Sequence, residues 1–271
     1  MEVQVKAITF AIAVNKRDVL QQNLLASPCF QAPHPHQILI QEGFKSAASA
    51  YNDAIDKSVN DIIVFCHQDI FFPEAWFSQL EEALQYLNAK DPQWGVLGCS
   101  GTTREGLYFG HVYSAGVGIV GEASTPVAVQ TLDEIVLILR KSSGLRFDDT
   151  LPHFHLYGAD ICLRAEQYGM HSYAISAFCF HNTAQAYILP KEFYECCTHV
   201  RQTWKKSLPI QTTCIRISRS SLPIYFRRFR ELREKYLRRR QMKETRVADV
   251  REAYKELSAR ISAQKAIGEL E

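Results

Sequence analysis

The chain has 271 residues, 46% hydrophobic and 22% charged, with a formal net charge of +2. These are ordinary values for a globular protein with a sizeable core, and no stretch reaches the roughly 18 to 20 apolar residues that span a bilayer, which excludes a membrane-spanning helix. The charge is uneven: residues 215–271 carry 16 Lys and Arg against 8 Asp and Glu, and the rest of the chain 15 against 21, so an acidic body bears a basic tail.

The opening "MEVQVKAITFAIAV" lacks a basic leader and a small-residue cleavage site and reads as a first strand over 7–14 rather than a signal peptide. A helix follows in "RDVLQQNLLAS", ended by Pro28, then a strand "HQILIQEG" (36–43) and a small-residue helix "SAASAYNDAIDKS" (46–58). "DIIVFCHQDIFF" is a third strand and its exit, and "EAWFSQLEEALQYLNA" (74–89) an amphipathic helix with Trp76, Phe77, Leu80, Ala83, Leu84 and Leu87 on one side. "WGVLGCSG" (94–101) is a fourth strand. This alternation predicts βαβ units on a mostly parallel sheet, hence an α/β fold. A glycine- and β-branch-rich stretch then reads as strands and turns ending in "EIVLILRK" (134–141), followed by a helix over 157–170 closed by Gly169 and a last strand over 171–182.

Beyond Pro209 the pattern is helical and charged. Tyr225, Phe229, Leu232 and Tyr236 form one heptad-spaced row, and Val247, Val250, Tyr254, Leu257 and Ile261 a second. We divide the chain into a catalytic-type body, 1–205, and a basic helical extension, 206–271. In "YFRRFRELREKYLRRR" arginines alternate with aromatics, which suits packing or oligomerisation, or an anionic membrane surface; nucleic acid is disfavoured. The eight cysteines include no Cys-x-x-Cys pair and several lie in apolar runs. They read as small hydrophobes in a reducing, cytoplasmic setting, and the adjacent Cys196 and Cys197 with His199 lack the usual zinc spacing.

In open α/β sheets ligands bind beyond the carboxyl ends of the strands. That rule gathers Asn15, Gln41, Glu42, and His67, Gln68 and Asp69 from the first three strands. It adds Asp133 at the head of a later strand, His181 at the end of the last one and Asp160 at a helix start. Each residue also has a plain structural reading. Asp69 can cap the turn before Pro73, Asn15 can be a turn former, Asp160 can favour a helix dipole and His181 can be structural.

The blocks "GFKSAASAYNDAI…DIIVFCHQDIFFPEAW…WGVLGCSG", "VQTLDEIVLILRKSSGLRFDD" and "FHLYGADICLRAEQYGMHSYAISAFCFHN" resemble glycosyltransferases of the GT-A fold, in the family 2-like, streptomycin-biosynthesis-type branch. The resemblance covers roughly residues 6–185 and leaves out the tail. It implies transfer of a sugar from a nucleotide-sugar donor to an acceptor hydroxyl on a glycan, a lipid-linked glycan or a small molecule. "HQD" stands at the metal motif, so Asp69 would bind Mn²⁺ or Mg²⁺ with help from His181; His67 and Gln68 replace the commoner acids. Asn15, Gln41, Glu42 and Asn52 would contact the nucleotide, Asp133 the sugars, and His155 would lie near the base. Asp160 would be that base, with Ala159 in place of the preceding acid, in an inverting attack. Lipid-linked acceptors would place the protein peripherally at the inner membrane face. Two rivals stay open: a degenerate member serving as a nucleotide-sugar-binding scaffold, and a nucleotidyltransferase, against which "VNKRDVLQQN" lacks a glycine-rich phosphate loop.

Overall fold

A computed structural model of the chain describes residues 7–31, 33–183, 189–237 and 245–268. The first half runs β1 (Thr9–Ala13), α1 (Arg17–Gln22), β2 (Gln37–Gln41), α2 (Ala47–Lys57), β3 (Ile62–His67), β4 (Ile70–Phe71) and α3 (Trp76–Lys90). Next come β5 (Val96–Gly98), β6 (Ser100–Thr102), β7 (Tyr108–Ser114), β8 (Gly118–Gly121), β9 (Val127–Val129), β10 (Thr131–Leu132) and β11 (Val136–Arg140). Then follow α4 (Tyr157–Gln167), β12 (Ser172–Ala174), β13 (Cys179–His181), α5 (Lys191–Thr203), β14 (Ile210–Gln211), β15 (Arg216–Ile217), α6 (Leu222–Tyr236) and α7 (Val250–Gly268).

A seven-stranded sheet has the order β2-β1-β3-β11-β5-β12-β9. β2, β1, β3, β5 and β12 run one way, and β11 and β9 run against their neighbours, so the sheet is mostly parallel as predicted. Strand alternation divides its side chains between two cores. Ala11, Ile63, Phe65, Leu137 and Leu139 pack with α2, α4 and α5. Phe10, Ile12, Val64, Cys66, Val136 and Ile138 pack with α1 and α3. α2 starts where the Ser46 hydroxyl accepts the Ser49 backbone N–H, and its buried Ala47, Ala48, Ala50 and Ala54 bring the helix close to the sheet.

A second sheet, β10-β6-β7-β13-β4 with β8 on β7, carries the chain across the end of the first. Two predicted strands are therefore broken. The run 94–101 divides at Cys99 into β5 and β6, and 171–182 divides into β12 and β13, one in each sheet. Gly110 makes the crossing possible: at φ 148° it lies so near β6 that a Cβ would stand 2.5 Å from the Cys99 carbonyl oxygen. The helix α5 has no counterpart among the predicted elements.

The tail packs on the body. On α6, the buried Glu231 accepts from the Tyr194 hydroxyl (2.7 Å), the Leu189 N–H (3.2 Å) and Arg227 Nε (2.9 Å). Val250 of α7 is buried in a small third core with Phe71 and Phe180, joined by Val247, Tyr254 and Leu257. The second heptad row thus faces protein. The first does not: Tyr225, Phe229, Leu232 and Tyr236 are 52 to 87% exposed. No helix among the described residues is long and apolar enough to cross a membrane.

Candidate functional site

β3 leaves the core between β1 and β11 and ends at His67, opposite Ala13. Gln68 and Asp69 turn the chain into β4, which pairs with β13 so that Ile70 faces His181. Two strand ends from different sheets thus bring His67, Asp69 and His181 together, with one ligand atom of each within 4.8 Å of the others. Asp69 is 7% exposed. Its Oδ1 lies 3.5 Å from His181 Nε2, and its Oδ2 3.4 Å from Arg246 Nη2.

Burial works to raise the Asp69 carboxyl, yet His181, His67 and Arg246 hold it well below the usual carboxylate range. Burial lowers the His67 imidazole, against the pull of Asp69, so the ring is neutral at neutral pH. The Tyr157 hydroxyl donates to the Glu134 carbonyl (3.1 Å) and lies 3.2 Å from His67 Nε2. With its proton committed there, the hydroxyl accepts from His67 Nε2–H, which leaves a lone pair on Nδ1. Two imidazoles and one ionised carboxylate fit a divalent cation that accepts both nitrogen and oxygen, Mn²⁺ better than Mg²⁺.

Beside this cluster opens a cleft of about 650 Å³, lined among others by Asn15, Gln41, Glu42, His67, Gln68 and Asp69. Six residues predicted from strand ends therefore meet at one cavity. Gln68 locks two of those ends together: its Oε1 accepts from the Asn15 and Lys16 N–H groups, and its Nε2 donates to Asn15 Oδ1 at 2.6 Å. Glu42 pairs with Arg17 at 2.6 Å. Tyr51, Phe44, Phe154 and Tyr157 supply apolar wall. Phe154 belongs to a strained loop, in which His153 and Leu156 adopt φ of 61° and 62°. That loop is tied to the start of α2 by the Ala47 N–H donating to the His153 carbonyl.

Outside the cluster, four predicted site residues are not among those that line the cleft. Asp160 is fully buried on α4 and accepts from Trp204 Nε1 at 2.7 Å. Burial raises its pKa, and in this conformation the residue does not line the cleft. Asn52 is buried and structural: its side chain bonds to both the N–H and the C=O of Phe147 and to Asp149. The His155 ring packs on Phe193. The Asp133 carboxylate accepts from Thr213 Oγ1 and the Ile135 N–H, although its charge reaches His67. Arg17, Tyr51, Tyr157 and Arg246 were missed. Arg17 opens α1 within four residues of the end of β1 and was legible; Arg246, 177 positions from Asp69, was not.

Three solved structures resemble the chain: A197 from STIV (15% identity, 63% of this chain and 82% of that one, TM-score 0.39), S. aureus TarS 1-349 (12%, 72% and 64%, 0.43), and a mannosyltransferase from Pyrobaculum calidifontis in complex with GDP-Man and Mn²⁺ (11%, 76% and 65%, 0.46). The "ATP synthase subunits region ORF 6" protein of Fuscovulum blasticum is 28% identical over 156 residues, 54% of this chain, and the match spans 61% of that relative's length. A model described as "Glycosyltransferase like family" matches residues 10–196. The mostly parallel sheet with a cleft at its strand ends is the GT-A arrangement that the sequence resemblance implied. With more than half of its length matched, the chain belongs to the glycosyltransferase-like family.

Proposed function

We propose that the protein transfers a sugar from a nucleotide-sugar donor to an acceptor hydroxyl. The observation that carries this reading is the convergence of Asn15, Gln41, Glu42, His67, Gln68 and Asp69 on one cleft that ends at the His67–Asp69–His181 cluster. In this reading the nucleoside lies against Gln41, Glu42 and the Tyr51 and Phe44 rings, and its diphosphate points at the cluster. Mn²⁺ or Mg²⁺ held by His67, Asp69 and His181 would neutralise the diphosphate as it leaves. Gln68 and Asn15 keep the two strand ends in register, and the Phe154 loop restricts water.

An in-line attack opposite the leaving group inverts the anomeric carbon and needs a base within hydrogen-bond reach of the acceptor hydroxyl. Asp160 does not offer that reach. Asp133 is half-buried where Asp160 is fully buried, and on that difference we assign it the role.

The acceptor we place at an anionic lipid surface. The support is α6, where Leu222, Tyr225, Phe226, Phe229, Leu232 and Tyr236 are all 52 to 87% exposed. At 100° per residue they fall within an arc of about 120°, with Arg228 and Arg230 at its margins and Arg233 inside it.

The test is donor hydrolysis with UDP-, GDP- and dTDP-sugars, with and without Mn²⁺, in wild type, Asp69→Ala, Asp133→Asn and Asp160→Asn. We expect turnover to fall by about 10²-fold or more in the first two variants, and Asp160→Asn to keep most of it. Unchanged turnover in Asp69→Ala overturns the metal assignment. A folded Asp160→Asn as inactive as Asp69→Ala returns the base to Asp160. Nucleotide-sugar binding without turnover in any form makes the protein a binding scaffold.

A further inference from the structure

Among the described residues that line the cleft, Arg17 is the only arginine or lysine. It opens α1, and its side chain is 76% exposed. Its Nε donates to Glu42 Oε1 at 2.8 Å and its Nη2 to Glu42 Oε2 at 2.6 Å. This fork occupies one edge of the guanidinium. Both protons of Nη1 and the second proton of Nη2 form another edge, and a planar guanidinium can hold a different anion there. Glu42 also lines the cleft, so the pair lies on its wall, and the two bonds hold an otherwise exposed side chain in one orientation.

The bonds around Arg17 give its place along the cleft. Gln68, next to Asp69, accepts from the Asn15 and Lys16 N–H groups, and Arg17 follows directly. On its other side Arg17 grips Glu42, just past the end of β2. In this chain of contacts Arg17 stands between the Asp69 cluster and the residues assigned to the nucleoside. A donor with its base at Gln41 and its phosphates at the cluster passes this point. Charge calls for a cation here as well. A divalent ion on one carboxylate and two neutral imidazoles keeps a net charge of one, and a departing nucleoside diphosphate carries more negative charge than that. Without Arg17 the Glu42 carboxylate would face those phosphates alone and repel them.

Resting on the donor-cleft reading above, we propose that Arg17 binds the diphosphate of the nucleotide donor with the guanidinium edge that Glu42 leaves open. Glu42 is its positioning residue: it cancels no phosphate contact and fixes the plane of the fork.

The test uses the full chain as wild type, Arg17→Met, which keeps an aliphatic stem without charge, and Arg17→Lys. Binding of UDP and of GDP at saturating Mn²⁺ is measured by calorimetry, and uridine and guanosine are titrated as competitors. We expect Arg17→Met to weaken the better-bound diphosphate about ten-fold, the worth of a charge-assisted hydrogen bond. The matching nucleoside, which has no phosphate, should weaken by less than about two-fold, because the lost contact is to an anion. Arg17→Lys should lose about three-fold for the diphosphate, since the charge stays and the fork goes; this variant decides the matter if Arg17→Met melts early. Diphosphate affinity unchanged in both variants overturns the proposal and leaves the donor-cleft reading standing. So does equal weakening of nucleoside and diphosphate, the mark of an arginine that merely steadies Glu42. If neither nucleotide binds the wild type, the donor-cleft reading falls and the proposal with it.

Discussion

Glu134 shows how one side chain prepares the site without entering it. It precedes β11, and its carboxyl faces the N–H groups of Leu156, Tyr157 and Gly158 at the start of α4, while its carbonyl takes the Tyr157 hydroxyl proton that sets the His67 tautomer. Burial, aided by the charge of Asp133 and opposed by those N–H groups, pushes its pKa up to about 8. An unfolded glutamate titrates near 4.3, so between these values the folded state binds more protons than the unfolded one. The folded form therefore loses stability as pH rises from about 5 to 8. Glu134→Gln keeps a carbonyl oxygen for the helix N–H groups and removes the titration. In urea melts at pH 5 and pH 8 we expect this variant to flatten the pH dependence, recovering about 2 kcal/mol at pH 8 after allowance for partial exposure. An unaltered slope would show that Glu134 titrates as an ordinary glutamate.

Elements were legible where a local period decides their environment. β1, β2 and β3 divide their side chains between two cores, so their ends, and with them Asn15, Gln41 and His67 to Asp69, could be placed from sequence alone. Legibility failed where the deciding partner is remote. Asp160 is hidden by Trp204, 44 positions on, and Asn52 is claimed by Phe147, 95 positions on. A heptad row also looks the same whether it meets protein or solvent. The row on α7 meets Phe71 and Phe180, whereas α6 turns only Ile224, Glu231 and their neighbours inward. The outward face of α6 gives the element its test. Full-length protein should float with phosphatidylglycerol-containing vesicles and stay behind with neutral ones. Phe226→Ser with Phe229→Ser should cut the bound fraction about five-fold, and should shift stability by less than about 0.5 kcal/mol because both rings are exposed. Equal flotation of this double variant would remove α6 from any membrane role.

At the scale of the molecule, body and tail were separable in sequence because composition changes sharply between them. Contacts join them again. Arg251 Nε donates to the Ala26 carbonyl at 2.8 Å, Tyr254 lies 5.8 Å from Phe71 and 6.3 Å from Phe178, and Val250 is 1% exposed. Phe71 directly follows Ile70, the partner of His181, so α7 covers the back of the very strand pair that carries the candidate metal ligands. Sequence could not reveal this, since Phe71 looks complete as part of an apolar strand exit. The consequence is that these contacts hold α7 to the body. Burying Val250 fully, and Tyr254 and Leu257 in part, is worth about 3 to 4 kcal/mol. For a domain of this size each kcal/mol moves Tm by about 2 to 4 °C. A chain ended after residue 237 should therefore melt about 6 to 16 °C lower, and full-length protein should unfold in one calorimetric transition that includes α7. Equal Tm values for the two chains, or a separate low-temperature transition in the longer one, would mean that the tail folds and acts on its own, and that Asp69 meets Arg246 only in passing.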